Sequence, residues 1–520
     1  MSGLFILAIL LAVWLLILYA VQRRERASLS LWGPILMWKT EKGKKLIARI
    51  ARKRRFWRIY ADAGIVISLV VMVATFALIL WNVYLTFQIA PENAPSPQML
   101  IGLPGINPVI PIGYGILAIA VAIIIHEFSH GILAMVGKIK VKALGLIFLI
   151  VPIGAFVEPD EEEMEQVSAR KRSRVFAAGP TTNLILALAC ALVFSSLLVG
   201  SVSPAVEGVM VTGTVPHGPF DVAGTQAWSA VTAINGTAVS DMERYEELVE
   251  RLSPHVTYNV TVFHGGSTAL APVRGGLVVA GVADDYPAQQ AGLQRGDILA
   301  IINGTTITNG TVFSDLLNET RAGESITIQY YRYHNQTWHL NATTAVLADK
   351  HGYYAKKFPR DNREDYRGRG FLGLSTVPLG ITTAAIDSYT QRMAHPLTDR
   401  QSFFLYLALP FAGLSPFPEG FTALFETPFA PDLFWPLANV FYWLFWLNFA
   451  LGTFNVLPAI PLDGGYIFRD GMASLFTRVR KKMDKERAER IASGVTTFFS
   501  VMVLLAIVAI IVVPRLRLFF

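Results

Sequence analysis

The chain has 520 residues, of which 53% are hydrophobic and 16% are charged, and its formal net charge is +7. This composition lies outside the usual range of soluble proteins and indicates a membrane protein, so the positive charge needs no nucleic acid to explain it. The single cysteine, Cys190, excludes a disulfide framework and a cysteine-based zinc site.

Six apolar stretches are each close to the ~20 residues that a helix needs to cross a bilayer. They are Met1–Ala20, Ala63–Phe87, Pro111–Val136, Val175–Val199, Phe434–Leu457 and Ile491–Val513. The first stretch has no basic region before it and no Ala-x-Ala cleavage site after it, so we expect a retained span with its N-terminus outside. Two shorter runs contain prolines, Ala143–Val157 and Phe403–Pro416, and are typical of re-entrant or interfacial segments.

The basic residues predict which side of the membrane each loop faces, because cytoplasmic loops carry an excess of Lys and Arg. Val21–Asp62 holds thirteen Lys or Arg and three acidic residues, and Tyr466–Arg490 holds eight Lys or Arg. Both segments should be cytoplasmic, which places Gly200–Trp435 outside. In agreement, the only Asn-x-Ser/Thr acceptor sequences of the chain begin at Asn235, Asn259, Asn303, Asn309, Asn318, Asn335 and Asn341.

The outer region contains an internal repeat with an offset of 68 residues. Gly208-Val-Met-Val-Thr-Gly213 matches Gly276-Leu-Val-Val-Ala-Gly281, and Ile234-Asn-Gly-Thr237 matches Ile302-Asn-Gly-Thr305. The second copy, Tyr286–Gly304, resembles PDZ domains, in which this pattern forms a short helix, a strand and a tight Asn-Gly turn. The resemblance implies two PDZ-like domains, of which the first is the more divergent.

The third span carries the sequence His126-Glu-Phe-Ser-His130. On a helix, two histidines at i and i+4 share one face and can bind one metal ion, with the glutamate beside the first as a base. Residues 93–125 carry no charge, and ionisable side chains within a span are costly unless they have a partner. A metal would be that partner, so we predict metal binding; the alternative is a chance match.

A catalytic zinc site usually takes three protein ligands, so a third must come from elsewhere in the chain. Asp463 closes the segment Asn455-Val-Leu-Pro-Ala-Ile-Pro-Leu-Asp463 at the inner end of the fifth span. The prolines, with Gly464 and Gly465, should unwind the helix, and irregular backbone at membrane depth is tolerated where it is covered or lines a cavity. We therefore predict Asp463 as the third ligand; an ordinary helix-terminating turn is the alternative.

These motifs in combination resemble the site-2 protease family, the intramembrane zinc metalloproteases of peptidase family M50, over most of Ile110–Val513. The resemblance extends to Gly179-Pro-Thr-Thr-Asn183. It implies that Asn183 and Asn455 polarise or position the scissile carbonyl. It also implies that Ile147–Val157 forms a β-like loop in the membrane with which an extended substrate pairs.

The resemblance implies one catalytic zinc ion held by His126, His130 and Asp463. Glu127 would take a proton from the attacking water and pass it to the leaving amine. The expected substrates are transmembrane proteins, with membrane-bound transcription regulators or anti-sigma-like factors as candidates, selected or excluded by the PDZ-like domains. The active site should lie near the cytoplasmic side of a multi-pass protein of the cell membrane.

The predicted fold is a polytopic α-helical membrane protein of about six transmembrane helices, with an inserted extracytoplasmic α+β, β-rich region of two PDZ-like domains. We expect residues 1–62 to form the first span and a basic cytoplasmic segment, and residues 63–200 to form membrane core with the metal-binding helix and the β-like loop. Residues 201–275 and 276–350 should form the two PDZ-like domains, followed by a linker, 351–433, with a re-entrant or amphipathic segment. Residues 434–520 should complete the membrane core with the Asp ligand and the C-terminal helix.

A membrane scaffold or receptor and a metal transporter are the alternatives to a protease. A membrane scaffold or receptor would use the PDZ-like modules for binding and the metal for structure only, but a structural site needs no base such as Glu127 beside the metal. A metal transporter would also place polar groups at membrane depth, but the spans show no paired half-repeat.

Overall fold

The computed structural model describes residues 3–23, 28–41, 43–89, 94, 96–149, 151–358, 363–479 and 483–516. Several residues of the predicted segments therefore lie outside the described part, namely Met1, Ser2, Arg24, Arg26, Lys42, Ile150, Arg480, Lys481 and Lys482. The chain divides into two compact units. The membrane unit comprises Met1–Phe194 and Leu437–Phe520, and the repeat unit comprises Ser195–Pro436.

The first part of the membrane unit alternates long helices with two pairs of strands. In chain order the elements are α1 (Gly3–Arg23), β1 (Leu29–Trp32), β2 (Ile35–Thr40), α2 (Lys44–Ala51), α3 (Arg54–Thr86), α4 (Ile112–Val136), β3 (Val141–Leu149), β4 (Val151–Pro159), α5 (Glu161–Gln166), α6 (Ala169–Phe176) and α7 (Ala178–Leu192).

The repeat unit is rich in strands. Its elements are β5 (Ser203–Pro204), β6 (Val209–Thr214), α8 (Pro219–Val222), β7 (Ser229–Ile234), β8 (Thr237–Ala238), α9 (Met242–Val249), β9 (Thr257–His264), β10 (Ser267–Arg274), β11 (Leu277–Val282), α10 (Pro287–Gln290), β12 (Ile298–Ile302), β13 (Thr305–Thr306), α11 (Gly310–Glu319), β14 (Ser325–His334), β15 (Thr337–Val346), β16 (Ala348–Asp349), α12 (Lys350–Lys357), β17 (Gly370–Phe371), β18 (Leu374–Pro378), β19 (Ile381–Ala385), α13 (Ser388–Ala394), α14 (Arg400–Ala408), α15 (Glu419–Thr422) and β20 (Phe425–Glu426). The chain then continues through α16 (Pro431–Asn455), α17 (Asp463–Val479) and α18 (Lys485–Leu516).

Five helical stretches of the described chain are long and apolar enough to cross a membrane. They are Arg54–Thr86, Ile112–Val136, Ala169–Ser201, Pro431–Asn455 and Lys485–Leu516, and they coincide with the second to sixth predicted spans. The protein is therefore a multi-pass membrane protein. Helix α1 (Gly3–Arg23) covers the first predicted span, and its crossing of the membrane stays a prediction.

The predicted β-like loop forms the strands β3 and β4, which pair antiparallel with Leu144 opposite Val157. β2 pairs with β3, and β1 with β2, so the sheet has the order β1-β2-β3-β4 and β4 lies at its edge. Sequence patterns did not predict β1 and β2 within the basic segment. β3, the partner of β2, lies about 100 residues further along the chain, so only tertiary packing brings the two hairpins together.

The 68-residue repeat appears as two sheets of the same design. The first has the order β10-β9-β7-β6-β19 and the second has the order β15-β14-β12-β11-β18. Core positions recur at the same offset: Val209 and Val231 of the first sheet correspond to Leu277 and Leu299 of the second, and each is at most 1% exposed. The last strand of each sheet comes from the segment 374–385, which lies outside the repeated sequence.

The Asn-Gly pairs of the repeat form the predicted tight turns. Asn235 and Gly236 have φ values of 47° and 77°, and Asn303 and Gly304 have 47° and 83°. A positive φ at both central residues is the requirement of a type I′ hairpin turn, which favours Asn followed by Gly. The acceptor sequences at these two asparagines therefore also have a structural origin.

Candidate metal centre

Helix α4 presents two imidazoles from successive turns, as the i, i+4 spacing predicts. Their ring centroids are 4.7 Å apart. Oδ2 of Asp463, the first residue of α17, lies 3.1 Å from Nε2 of His126 and 3.4 Å from Nε2 of His130. The structure thus brings together the three residues that the sequence analysis selected, with one donor atom of each within 4.8 Å of the others.

The chain breaks its helical path between Asn455, where α16 ends, and Asp463, where α17 begins. Gly464 and Gly465 do not unwind the helix as expected, because both lie in the first turn of α17. Their role is close packing, since a Cβ at Gly464 would lie 2.0 Å from the carbonyl oxygen of Val456. The glycines therefore let the start of α17 fold back against the break.

The carboxyl group of Asp463 is buried beside the two imidazoles. A metal ion binds the ionised form of a carboxyl group, so Asp463 can serve as a ligand as a carboxylate.

The orientation of His130 is set from α6. Nδ1 of His130 lies 2.8 Å from the carbonyl oxygen of Val175, so Nδ1 donates and Nε2 is left as the ligand atom. Nδ1 of His126 is buried and has no hydrogen-bond partner among the described residues. One imidazole is thus held by a backbone carbonyl, and the other is held by packing.

Glu127 lies beside the cluster and is held by the edge strand. The backbone N–H of Val157 on β4 donates to Oε2 of Glu127 at 3.0 Å. Glu127 and the three clustered residues line one cavity of about 290 Å³, together with Asn455. A carboxylate, three candidate metal donors and open space therefore meet in one place.

The sequence model of peptidase family M50 matches residues 114–503, more than half of the chain and all of the site described above. The chain belongs to peptidase family M50. It is therefore a metalloprotease, and its His-His-Asp group is consistent with zinc.

Two relatives of this M50 peptidase align with parts of the chain. An uncharacterized protein of Methanocaldococcus jannaschii is 27% identical over 263 residues, which are 49% of this chain and 67% of that protein. A protein of Neisseria meningitidis serogroup A, named "Putative zinc metalloprotease", is 27% identical over 270 residues, which are 42% of this chain and 59% of that protein. The second alignment thus spans less than two thirds of the relative.

The donor set of the M50 peptidase fits zinc. Two imidazole nitrogens and one carboxylate oxygen are the ligand types that zinc takes in catalytic sites, where three protein ligands leave one position open. Nε2 is the free nitrogen of His130, and both imidazoles lie within reach of the same carboxylate oxygen. No cysteine competes for the ion, because Cys190 is a free, buried residue of α7.

The two candidate asparagines of the M50 peptidase have different surroundings. Asn455 lines the cavity at the last residue of α16. Asn183 on α7 is fully buried and is not among the lining residues, and neither atom of its amide has a hydrogen-bond partner in the described part of the chain. An unpaired buried amide is rare in proteins, so Asn183 retains a polar group without a structural use for it.

Gly179 belongs to the motif Gly179-Pro-Thr-Thr-Asn183, but the sequence does not predict its contact with the two histidines. A Cβ at Gly179 would lie 2.6 Å from Nε2 of His126 and from Nε2 of His130, so any side chain would displace the ligand atoms. Val157 and Val175, which hold Glu127 and His130 through backbone atoms, were also missed as partners. Backbone groups leave no mark on residue type, and so no sequence signal could have identified these two contacts.

Proposed function

We propose that this M50 peptidase hydrolyses peptide bonds within or next to the transmembrane segments of membrane proteins. The observation that carries the proposal is the position of the cluster. His126, Glu127 and His130 lie on α4, a helix long and apolar enough to cross a membrane. Ionisable groups are retained at such depth for a function, because their burial is costly.

The contacts support a role for each residue. His126, His130 and Asp463 would hold the zinc ion. Zinc bound there supplies Lewis-acid chemistry, which polarises a carbonyl group and lowers the pKa of a water molecule. Glu127 accepts the proton of the attacking water and passes it to the leaving amine. The N–H of Val157 keeps the Glu127 carboxylate in the cavity during both steps.

The substrate enters as an extended strand. A helical peptide bond is shielded by its own hydrogen bonds and must be unwound before hydrolysis. Among the described strands β4 pairs only with β3, so its other edge is available for a peptide to pair with. Since β4 also carries the N–H that holds Glu127, pairing at this edge places a substrate carbonyl next to the base.

The asparagines are proposed to act on the carbonyl oxygen that becomes negatively charged. Asn455 reaches the cavity directly. Asn183 has an unpaired amide but is buried outside the cavity lining, so its contact with a substrate requires a change in packing. Donors aimed at a developing oxyanion lower the barrier because they need no reorganisation during the reaction.

The repeat unit is proposed to consist of two PDZ-like domains on the extracytoplasmic side that select or exclude substrates by their outer portion. The basic residues of Val21–Asp62 and Tyr466–Arg490 support this orientation. The position of the acceptor sequences agrees, since six of the seven asparagines are exposed and only Asn309 is half-buried.

The test is cleavage of a tagged single-span substrate by the detergent-purified full chain, with zinc content measured on the same samples. Wild type, Glu127→Gln and Asp463→Asn are compared. We expect wild type to bind zinc and to cut, Glu127→Gln to bind zinc without cutting, and Asp463→Asn to lose zinc. Glutamine keeps an oxygen for the N–H of Val157 but cannot take a proton.

The outcomes of this experiment distinguish a protease from a membrane scaffold with a structural metal. Equal cleavage by wild type and Glu127→Gln would remove Glu127 from the mechanism. If zinc is bound but no membrane substrate in a broad panel is cut, a structural metal in a scaffold becomes the better explanation. Equal zinc content in wild type and Asp463→Asn would show that Asp463 is not a ligand.

A further inference from the structure

A buried ion pair connects the helix that carries Asp463 with the helix that orients His130. Nε and Nη2 of Arg172 on α6 each donate to one carboxylate oxygen of Asp470 on α17, both at 3.0 Å. The side chain of Asp470 is 3% exposed and that of Arg172 is 15% exposed. A two-pronged bond of this kind fixes both distance and angle between its helices.

The ion pair lies on the same helix faces as the metal-site contacts. On α17 the residues 463, 466 and 470 follow the i, i+3, i+7 spacing of one face. On α6, Arg172 precedes Val175, the carbonyl acceptor of His130, by three residues. The ion pair therefore joins the ligand-bearing face of one helix to the ligand-orienting face of the other.

A second contact joins the same two faces. The rings of Phe176 on α6 and Tyr466 on α17 are stacked with centroids 4.6 Å apart and an interplanar angle of 11°. The remaining nitrogen of Arg172, Nη1, donates to the carbonyl oxygens of Glu165 and Val167. Every nitrogen of the guanidinium is thus used, which leaves this side chain one position.

We propose that Arg172 and Asp470 are positioning residues that set the distance between Asp463 and His130 and thereby the geometry and affinity of the metal site. The proposal rests on the proposed role of Asp463 and His130 as metal ligands. Neither Arg172 nor Asp470 lines the cavity that contains the proposed metal ligands. Their effect passes through α17 to Asp463 and through the carbonyl of Val175 to His130.

The chain offers a matched control on the same helix. Arg174 of α6 makes a similar two-pronged bond to Asp62 on α3, with distances of 2.7 and 2.6 Å. Arg170 also bonds to Asp62. Helix α3 carries none of the proposed metal ligands, so the loss of this carboxylate loosens α6 but leaves the link between α6 and α17 intact.

The experiment compares wild type, Asp470→Asn, Arg172→Lys and the control Asp62→Asn, each as the full chain in detergent. Zinc affinity is measured by competition with a chromophoric chelator, and site geometry by the visible spectrum after cobalt substitution. We expect about tenfold or greater loss of zinc affinity and an altered cobalt spectrum for Asp470→Asn and Arg172→Lys. Asp62→Asn should lower the thermal midpoint and should reduce zinc affinity less than either of these variants, because the link between α6 and α17 stays intact.

The outcomes distinguish this proposal from the proposed function. If wild type binds no zinc, or Asp463→Asn binds it as tightly, the metal site itself is wrong and the positioning role fails with it. If Asp463→Asn loses zinc while Asp470→Asn and Arg172→Lys keep the wild-type affinity and spectrum, only the positioning role is refuted. An equal loss of zinc affinity in Asp62→Asn would show that the Arg172–Asp470 pair contributes only to general stability. If Asp470→Asn does not fold, Arg172→Lys, which keeps the charge, decides.

Discussion

Glu127 and Val157 are joined by a hydrogen bond of 3.0 Å from the backbone N–H of Val157 to Oε2 of Glu127. This bond links the proposed base on α4 to the edge strand on which we place the substrate. The bond couples the position of the Glu127 carboxylate to that of β4. A shift of β4 changes the position of the carboxylate in the cavity.

Replacement of Val157 by proline tests this bond, because proline has no N–H to donate. Proline is tolerated on edge strands, so the fold should survive. Since a hydrogen bond to a charged group contributes about 1.5–3 kcal/mol, we expect a roughly 10- to 100-fold lower kcat with unchanged zinc content. Val157→Ala keeps the N–H and is the control. An equal loss in both variants would mean that side-chain packing, not the bond, matters.

Replacement of Gly179 by alanine should disrupt the metal site. The added Cβ would lie 2.6 Å from the Nε2 atoms of His126 and His130, so at least one imidazole has to move. We expect zinc retention to fall by about tenfold or more in chelator competition. Gly494 on α18 has no atom within 4 Å of an added Cβ, so Gly494→Ala should keep the wild-type zinc affinity.

Replacement of Asn183 by alanine separates a structural from a functional role. The amide is buried without a partner, so its removal should leave the thermal midpoint unchanged or raise it. If the amide contacts the reacting carbonyl or the substrate strand, kcat should fall by up to about 100-fold. A lower thermal midpoint with normal cleavage would assign Asn183 to the fold instead.

The two repeats make the same cross-strand contact with different chemistry. In the second repeat, Nε of Arg332 donates to Oδ1 of Asp297 at 2.7 Å. At the same two positions of the first repeat, Oγ of Ser229 lies 3.0 Å from Nδ1 of His264. Asp297 is 2% exposed, but Arg332 is 29% exposed, which weakens the pair below a fully buried one. We expect Asp297→Asn to lower the free energy of unfolding by about 2–3 kcal/mol and Ser229→Ala by about 1 kcal/mol. Denaturant unfolding measures the free energy of unfolding of both variants. Equal losses in the two variants would contradict the prediction that the ion pair contributes more than the Ser229–His264 contact.

Much of this protein follows from residue types at short spacing. Apolar stretches of helical length predicted five of the helices that can cross a membrane, and the i, i+4 histidines placed two metal donors on one helix face. The Asn-Gly pairs predicted the hairpin turns, and the 68-residue offset predicted two similar sheets. Each of these features depends on neighbouring residues in the chain or on a repeated pattern, so the sequence alone determines it.

Only the tertiary structure decided which distant segments meet. β1 and β2 join the sheet of the β-like loop, and one short segment supplies β18 and β19 to two different sheets. Glu127 and His130 are held by backbone groups of Val157 and Val175. Any residue type could provide the carbonyl, and any type except proline could provide the N–H. Contacts of this kind depend on the packing of the whole unit, because a backbone N–H or carbonyl is the same at nearly every position of the chain.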